Sequence, residues 1–253
     1  MSFIGIFVAL ACIIGGILLE GGHPGALLNL PAFLIVVGAT IGAALTQFPF
    51  HVVGGVAKRF IWFVLPPKRD LLERSLLLQE LANLARKGGF LALEEKLDDL
   101  PDPFLKKGLS MLVDGFDKDR IIETLEDDIE FEYEDVELTA KFYEAMGGYA
   151  PTMGIIGAVL GLIHAMGLLD KPDELGGGIA VAFVATIYGV AFANLMFLPF
   201  GNRIKLFAHE IKHFNNMTLV AIGSIADGVS PQQLASRLDG YVGGHGGKES
   251  KEA

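Results

Sequence analysis

Four long stretches of this sequence contain no aspartate, glutamate, lysine or arginine. They are residues 2–19, 21–57, 145–169 and 175–202, and the most apolar part of the second stretch is 27–46. A helix needs roughly 20 apolar residues to cross about 30 Å of hydrocarbon. Because helices buried in a water-soluble domain rarely run so far without a charge, these stretches predict four transmembrane helices, two near the start of the chain and two towards its end.

The composition agrees with a membrane protein. Hydrophobic residues make up 51% of the 253 residues, and the mean hydropathy is +0.46, which is high for an ordinary globular domain. The first apolar stretch lacks the basic start of a signal peptide and a second apolar stretch follows almost at once, so we expect it to be retained as a helix. The single cysteine, Cys12, lies in that helix and has no partner for a disulfide within the chain.

Basic residues beyond the helix ends predict the orientation in the membrane. The connections 20–27 and 170–178 contain one basic residue between them, Lys171. Six others follow the second and fourth apolar stretches: Lys58, Arg59, Lys68, Arg69, Arg203 and Lys205. Since basic residues concentrate on the cytoplasmic side, both termini and the long connection between the second and third helices are predicted to be cytoplasmic.

The expected fold class is therefore all-α, a polytopic membrane protein with four transmembrane helices and a cytoplasmic helical domain. The expected division is 1–49 for the first two transmembrane helices, 50–144 for the cytoplasmic domain, 145–202 for the last two, and 203–253 for a C-terminal helix and a disordered tail. Helical periodicity breaks at Gly88-Gly89 and at the sequence PDP of 101–103, and Ser230-Pro231 predicts a helix start.

The cytoplasmic domain is strongly charged. Residues 50–144 carry 13 basic and 21 acidic residues, a net charge of −8. Such a surface offers electrostatic docking to a charged protein partner, whereas its basic residues are too few for nucleic-acid binding. The tail 243–253, rich in glycine and charge, is expected to be disordered.

The third and fourth apolar stretches carry small residues at helical spacing. One stripe is formed by Gly154, Gly157/Ala158, Gly161 and Ala165, and the other by Gly178, Ala182, Ala185/Thr186, Gly189 and Ala193. In lipid, small residues let helix backbones approach closely. We therefore expect these two faces to pack tightly, either within one subunit or between subunits.

Two prolines and one threonine stand out in the same helices. Pro151 and Pro199 lie near the cytoplasmic helix ends, where they either permit a kink or simply mark the ends. The Thr186 hydroxyl either serves ion passage or bonds to the backbone of the preceding turn.

No acidic residue lies inside the predicted helices, and His164 is their only group that titrates near neutral pH. If the chain takes part in proton movement, the carboxylate must come from another protein.

No enzyme motif is supported by its surroundings in the sequence. No glycine-rich segment ends in the Gly-Lys-Ser/Thr of a nucleotide-binding loop. His209, Glu210 and His213 match the His-Glu-x-x-His pattern of zinc proteases, yet they lie within a turn or two of the predicted membrane boundary and lack an evident third ligand. We expect no enzymatic activity, no cofactor and no metal site, and retain a small metalloprotease as a distant alternative.

Four longer segments carry a family resemblance: LIVVGATIGA (34–43), ARKGGFLALEE (85–95), PTMGIIGAVLGLI (151–163) and GIAVAFVATIYGVAFANLMFLP (178–199). With the two-plus-two helix layout, the chain over about 1–240 resembles the MotA/PomA family, the larger subunit of the bacterial flagellar stator. The resemblance implies an inner-membrane protein, contacting membrane lipid, with five copies around two copies of a single-span MotB/PomB-type partner. The membrane aspartate of that partner carries the ion, and its periplasmic domain binds peptidoglycan.

The resemblance also implies roles for individual residues. Pro151 and Pro199 match prolines that couple ion passage to cytoplasmic movement, and Thr186 matches a threonine lining the ion path. Three charged positions match residues that face the switch-complex protein of the rotor: Arg86, Lys87 and Glu94.

The coupling ion follows from two departures. Sodium-driven members of the family carry a second threonine in the third transmembrane helix, where this chain has Ala158. They also carry an aspartate just before the second transmembrane helix, where this chain has Asn29. Sodium needs several oxygen ligands to replace its water shell, whereas a proton needs a carboxylate and a water route, so the resemblance implies protons. The alternative is an energiser of the ExbB/TolQ type, which drives outer-membrane processes and has three spans.

Overall fold

The computed structural model describes residues 2–246, and the side chains of 4–243. The helices are α1 (Ser2–Leu19), α2 (Leu30–Phe33), α3 (Ala39–Gln47), α4 (Phe50–Arg59), α5 (Leu71–Gly88), α6 (Glu94–Leu97), α7 (Pro103–Val113), α8 (Lys118–Met166), α9 (Pro172–Phe192), α10 (Leu198–Ala226) and α11 (Pro231–Gly246). Short 3-10 turns occupy Pro24–Leu27, Phe60–Phe63 and Phe90–Leu93. No β-strand occurs among the described residues, so the all-α prediction is confirmed.

Two π-helical turns join neighbouring helices into longer ones. The first π turn, Leu34–Gly38, joins α2 to α3, and the second π turn, Ala193–Phe197, joins α9 to α10. In a π turn each N–H donates to the carbonyl five residues earlier, so the turn is wider than an α-helical one. The fourth apolar stretch and the start of the C-terminal region therefore form one helix.

Three of these long helices are apolar enough to cross a membrane. They are Leu30–Gln47, Lys118–Met166 and Pro172–Ala226. A further apolar helix, Ile4–Leu19, is shorter than the usual spanning length within the residues searched. The membrane-protein prediction is confirmed, and the count of four spans stays a prediction.

Both notable prolines lie within helices. Pro151 is inside α8, and Pro199 is the second residue of α10. Just before Pro199, the N–H of Leu198 donates to the carbonyl of Ala193, five residues earlier. The second π turn therefore accommodates a proline that cannot donate a hydrogen bond. The alternative that these prolines simply mark helix ends is wrong.

The described chain divides into two compact units. The first contains the residues up to Pro66 together with Asp135–Leu206, and the second contains Pro67–Glu134 together with the residues from Phe207 onward. Helices α8 and α10 each contribute residues to both units. The first unit contains the apolar helices, and the second contains most of the charged sequence.

Leucine and isoleucine side chains fill the core of the second unit. Fully buried examples come from five of its helices, among them Leu78, Leu109, Leu125, Ile222 and Leu238. The predicted helix breaks are confirmed here, since α5 ends at Gly88, α7 begins at Pro103 and α11 begins at Pro231. Gly89 follows the first break with a φ of 74°, a conformation that glycine adopts without strain.

The C-terminal tail was expected to be disordered from residue 243. Helix α11 instead continues to Gly246, and residues 247–253 lie outside the described part of the chain. Helix propensity alone does not explain this extension, because Gly243, Gly244 and Gly246 are poor helix formers.

Candidate functional site

The small-residue stripes of α8 and α9 pack against each other within one chain. A Cβ atom built on Gly161 would lie 2.7 Å from the backbone nitrogen of Ala182, and one built on Gly178 would lie 2.9 Å from the Cα of Ala165. No ordinary side chain fits at such distances, so at these points only a glycine hydrogen separates the two backbones. The prediction of close packing is confirmed in its within-subunit form.

The sequence left two positions in the stripes open, Gly157/Ala158 and Ala185/Thr186. In each pair one residue makes the α8–α9 contact. A Cβ on Gly157 would lie 2.7 Å from the Cβ of Ala185, and Ala185 is fully buried. Ala158 is half-buried and Thr186 is exposed, so both lie beside the contact. The placement of Thr186 on the packed stripe is therefore wrong, because the adjacent Ala185 occupies that position.

The Thr186 hydroxyl has a backbone partner. It donates to the carbonyl of Ala182 at 3.2 Å, the bond to the preceding turn that threonine commonly forms in helices. Its exposure in the single chain leaves its surface open to another protein. Ala158 has no polar atom in its side chain, so neither predicted ion-path position supplies a titrating group.

Pro151 lies at one of the close approaches of α8 and α9. A Cβ on Gly189 would lie 2.7 Å from the carbonyl oxygen of Ala150 and 3.2 Å from the Cα of Pro151. Because proline has no N–H, the carbonyl of Gly147, four residues earlier, receives no helical hydrogen bond from it. Pro151 thus combines a weakened helical bond with a close backbone contact.

The region of Pro199 contacts the same part of α8. A Cβ on Gly147 would overlap the side chain of Leu198 and lie 3.4 Å from its backbone nitrogen. Leu198 immediately precedes Pro199, which is itself exposed. Pro151 and the residue before Pro199 therefore both take part in contacts between α8 and the helix that packs against it, which spacing along the sequence could not reveal.

Asn29 acts as a helix cap. Its side-chain oxygen accepts a hydrogen bond from the N–H of Ala32 at 3.0 Å, which satisfies a donor at the start of α2. Its own N–H donates to the Tyr188 hydroxyl at 3.3 Å, and that hydroxyl donates to the carbonyl of Leu27. Asn29, which the resemblance implies is a position that differs with the coupling ion, thus ties the start of the second apolar helix to α9.

The three predicted rotor-facing residues lie together in the second unit. Arg86 and Lys87 are in the last turn of α5, and Glu94 is the first residue of α6. All three are exposed, while Leu93 beside them is fully buried and anchors the turn. Within residues 2–246 none of the three forms an ion pair, so their charges are available to a partner.

The zinc-protease pattern does not assemble a metal centre. The ring of His209 lies 3.4 Å from the Tyr133 hydroxyl, and the Nε2 atom of His213 lies 3.2 Å from the carbonyl oxygen of Tyr241. Among the residues that the structure describes, no group of three or more His, Cys, Asp or Glu side chains is arranged to hold a metal. The metalloprotease alternative therefore has no site to support it.

Comparison with known proteins identifies the family. Residues 3–89 match the family model "Motility protein A N-terminal", and residues 96–217 match "MotA/TolQ/ExbB proton channel family". Motility protein A of Helicobacter pylori (strain ATCC 700392 / 26695) is 37% identical over 241 residues, which are 95% of this chain and 94% of that protein. The chain belongs to the MotA/PomA family of flagellar stator subunits.

Solved structures agree with this MotA/PomA assignment. A structure described as C. jejuni MotAB has a TM-score of 0.89 and 34% identity, covering 95% of this chain and 94% of that chain. The flagellar MotAB stator complex from Bacillus subtilis has a TM-score of 0.83 and 34% identity, covering 95% of each chain. The resemblance stated from the four sequence segments is confirmed, and the family and the apolar helices indicate an inner-membrane protein.

Proposed function

We propose that this chain, with a MotB-type single-span partner, couples proton flow across the inner membrane to torque on the flagellar rotor. The observation that carries the proposal is the crossing at Pro151, where α8 and α9 touch backbone to backbone beside a helical bond that proline cannot complete. The backbone contact keeps α8 and α9 from moving closer together, while the missing hydrogen bond makes α8 easier to bend. A helix that changes shape with each passing ion requires both properties.

The partner supplies the carboxylate that this chain lacks. The described parts of the predicted spans contain no acidic residue, and the two similar structures are of MotAB complexes. Ala158 and Thr186 lie beside the α8–α9 contact and not in it, which supports the proposal that they face the partner's helix. The five-to-two stoichiometry is taken from the family resemblance.

Protons are the proposed coupling ion. The family model that matches 96–217 is described as a proton channel family. Ala158 offers no oxygen ligand, and the side-chain oxygen of Asn29 is already engaged with Ala32. A sodium ion that must replace several water ligands would find little at either position.

Movement at the crossing would reach the rotor-facing charges through continuous helices. Both α8 and α10 run from the first unit into the second, and the second unit carries Arg86, Lys87 and Glu94. We propose that this unit is cytoplasmic and that these three residues contact the switch-complex protein of the rotor. The match of 3–89 to a motility protein model favours this role over an ExbB/TolQ-type energiser.

Swimming without sodium tests the proposal. A stator-less flagellated host that expresses this chain and its genomic partner should swim at the same speed with and without sodium, because protons carry the current. The measurement is swimming speed across sodium concentrations at constant membrane potential. Swimming that requires sodium would contradict the ion assignment, and paralysis despite confirmed membrane expression would favour the energiser.

Charge reversal at Glu94 tests the rotor surface. Glu94→Lys should lower swimming speed several-fold while stator amounts in the membrane stay unchanged, because the side chain is exposed and like charges across an interface disfavour docking. The matched control is Glu126→Lys, an exposed acid of the same unit on α8, which should leave speed unchanged. Equal losses in both variants would show a general charge effect and contradict a local contact.

A further inference from the structure

Glu144 is the last charged residue before the uncharged stretch 145–169. It lies on α8 seven residues before Pro151, which itself lies seven residues before Ala158. Seven residues make nearly two helical turns, so the three residues share one edge of α8 at intervals of about 10 Å. All three are half-buried. The edge that bears the proposed ion-path position and the coupling proline thus ends, on its proposed cytoplasmic side, in a carboxylate.

Glu144 packs against the backbone of α10. A Cβ on Gly201 would lie 3.1 Å from the Cγ of Glu144 and 3.2 Å from its backbone nitrogen. Because Gly201 has no side chain, the Glu144 stem lies directly on the helix. The charged residues one turn away are Lys141 on α8 and Lys205 on α10.

The other acids at this end of the first unit have partners. Asp135 pairs with Arg59, and Glu137 pairs with Lys141 at 2.9 Å. Within the described residues the Glu144 carboxylate has neither a hydrogen bond nor an ion pair. Its oxygen atoms are not among the described side-chain atoms that are both buried and without a partner, so water can reach the carboxylate, and no ion pair or hydrogen bond holds it in place.

We infer that Glu144 accepts the proton at the cytoplasmic end of the path. The inference rests on the proposed stator function. The proton that leaves the partner's membrane carboxylic acid passes through water to the Glu144 carboxylate, which becomes a neutral carboxylic acid. That acid then gives the proton to cytoplasmic water and returns to its charged form. Each cycle therefore moves one proton and leaves Glu144 unchanged.

The location of Glu144, on the proposed cytoplasmic side of Pro151, suits a proton acceptor. A carboxylate two turns from Pro151 draws protons away from the crossing, which keeps the reverse transfer to the partner slow. Its edge of α8 moves with the crossing, so access to Glu144 changes as the helix bends. A side chain at position 201 would press on the Glu144 stem, so the glycine there allows Glu144 to take this position.

Rotation at low and high load separates a proton acceptor from a structural residue. Glu144→Gln keeps the size and hydrogen-bonding shape of the side chain but cannot accept a proton. Motor speed at low load is limited by the rate of ion transit, whereas stall torque depends on the free energy released per ion. We therefore expect Glu144→Gln to lower low-load speed several-fold, leaving stall torque per stator unchanged, and Glu144→Asp to recover much of the speed. Glu134→Gln, an exposed acid on the same helix, is the matched control and should be normal.

The outcomes distinguish this inference from the function on which it rests. If the unmodified chain fails to turn the motor in sodium-free medium, the proton-driven function itself is wrong. If it turns the motor and Glu144→Gln matches it at low load, the proton-acceptor role is overturned while the stator function stands. A parallel fall in speed, stall torque and stator number for Glu144→Gln would indicate a structural role and would also overturn the inference.

Discussion

Replacing Gly189 with alanine is expected to abolish motor rotation and to reduce the amount of the chain in the membrane. The added Cβ would lie 2.7 Å from the carbonyl oxygen of Ala150 and 3.0 Å from the Cα of Gly154. Both neighbours are backbone atoms of α8, which cannot rotate away as a side chain could. The helices must separate, and the contacts made at Gly161 and Gly178 along the same pair would be lost with them.

The matched control for this substitution is Gly177→Ala on the same helix. A Cβ on Gly177 meets nothing within 4 Å, and alanine is a better helix former than glycine by about 1 kcal/mol. The control should therefore be neutral or slightly stabilising, and any loss at Gly189 is steric. Membrane content by immunoblot and rotation of tethered cells measure both variants. Normal rotation of Gly189→Ala would show that the α8–α9 contact is not as close as described.

Asp102→Ala is expected to destabilise the second unit by about 3–5 kcal/mol, the usual effect of removing one partner of a buried ion pair. Asp102 pairs with Arg74, whose side chain is 8% exposed and lies over the Phe214 ring, 4.4 Å from its centroid. Burial lowers the pKa of Arg74, and the Asp102 carboxylate opposes that shift. Without the carboxylate, the Arg74 guanidinium would remain buried without its ion-pair partner.

Two further variants separate the contributions at Asp102. Its Oδ1 atom also accepts a hydrogen bond from the N–H of Phe104 at 3.0 Å, capping α7. Asn is also a good capping residue, so Asp102→Asn should retain the cap and lose only the ion pair. Asp98→Ala removes an exposed pair with Lys106 and should change stability by less than about 1 kcal/mol. Thermal unfolding of the purified complex measures the stability of Asp102→Ala, Asp102→Asn and Asp98→Ala. Similar losses of stability in Asp98→Ala and Asp102→Ala would show that burial of the ion pair is not what matters.

Sequence periodicity predicted the face of each helix but not the residue within it. The small-residue stripes on α8 and α9 were correct as surfaces, because spacings of three and four residues recur on one side of any α-helix. Neighbouring candidates such as Ala185 and Thr186 differ by only one position, and the choice between them depends on the crossing angle of the two helices. That angle is a property of both helices together, so one sequence segment cannot specify it.

The features that the sequence did not predict depend on backbone hydrogen bonds or on distant contacts. The second π turn has no sequence signature, although Pro199 beside it explains why the helix tolerates one. Glu144 was assigned to a charged cytoplasmic domain, where most carboxylates are solvated. Its contact with Gly201 joins residues on two different helices, and only the structure reveals it. Helix breaks at Gly88 and Pro103 were predictable, since glycine and proline act locally.

The second π turn also determines the rotational phase of everything that follows it in α10. A π turn has one residue more than the α-helical turn that could replace it. Deleting one residue between 193 and 197 would therefore restore an ordinary α-helix. Each residue of an α-helix advances the side chain by about 100°, and the whole of α10 would turn by that amount. Gly201 would then no longer face Glu144. The length of this short segment, and not only its composition, must therefore be kept for α10 to pack as it does.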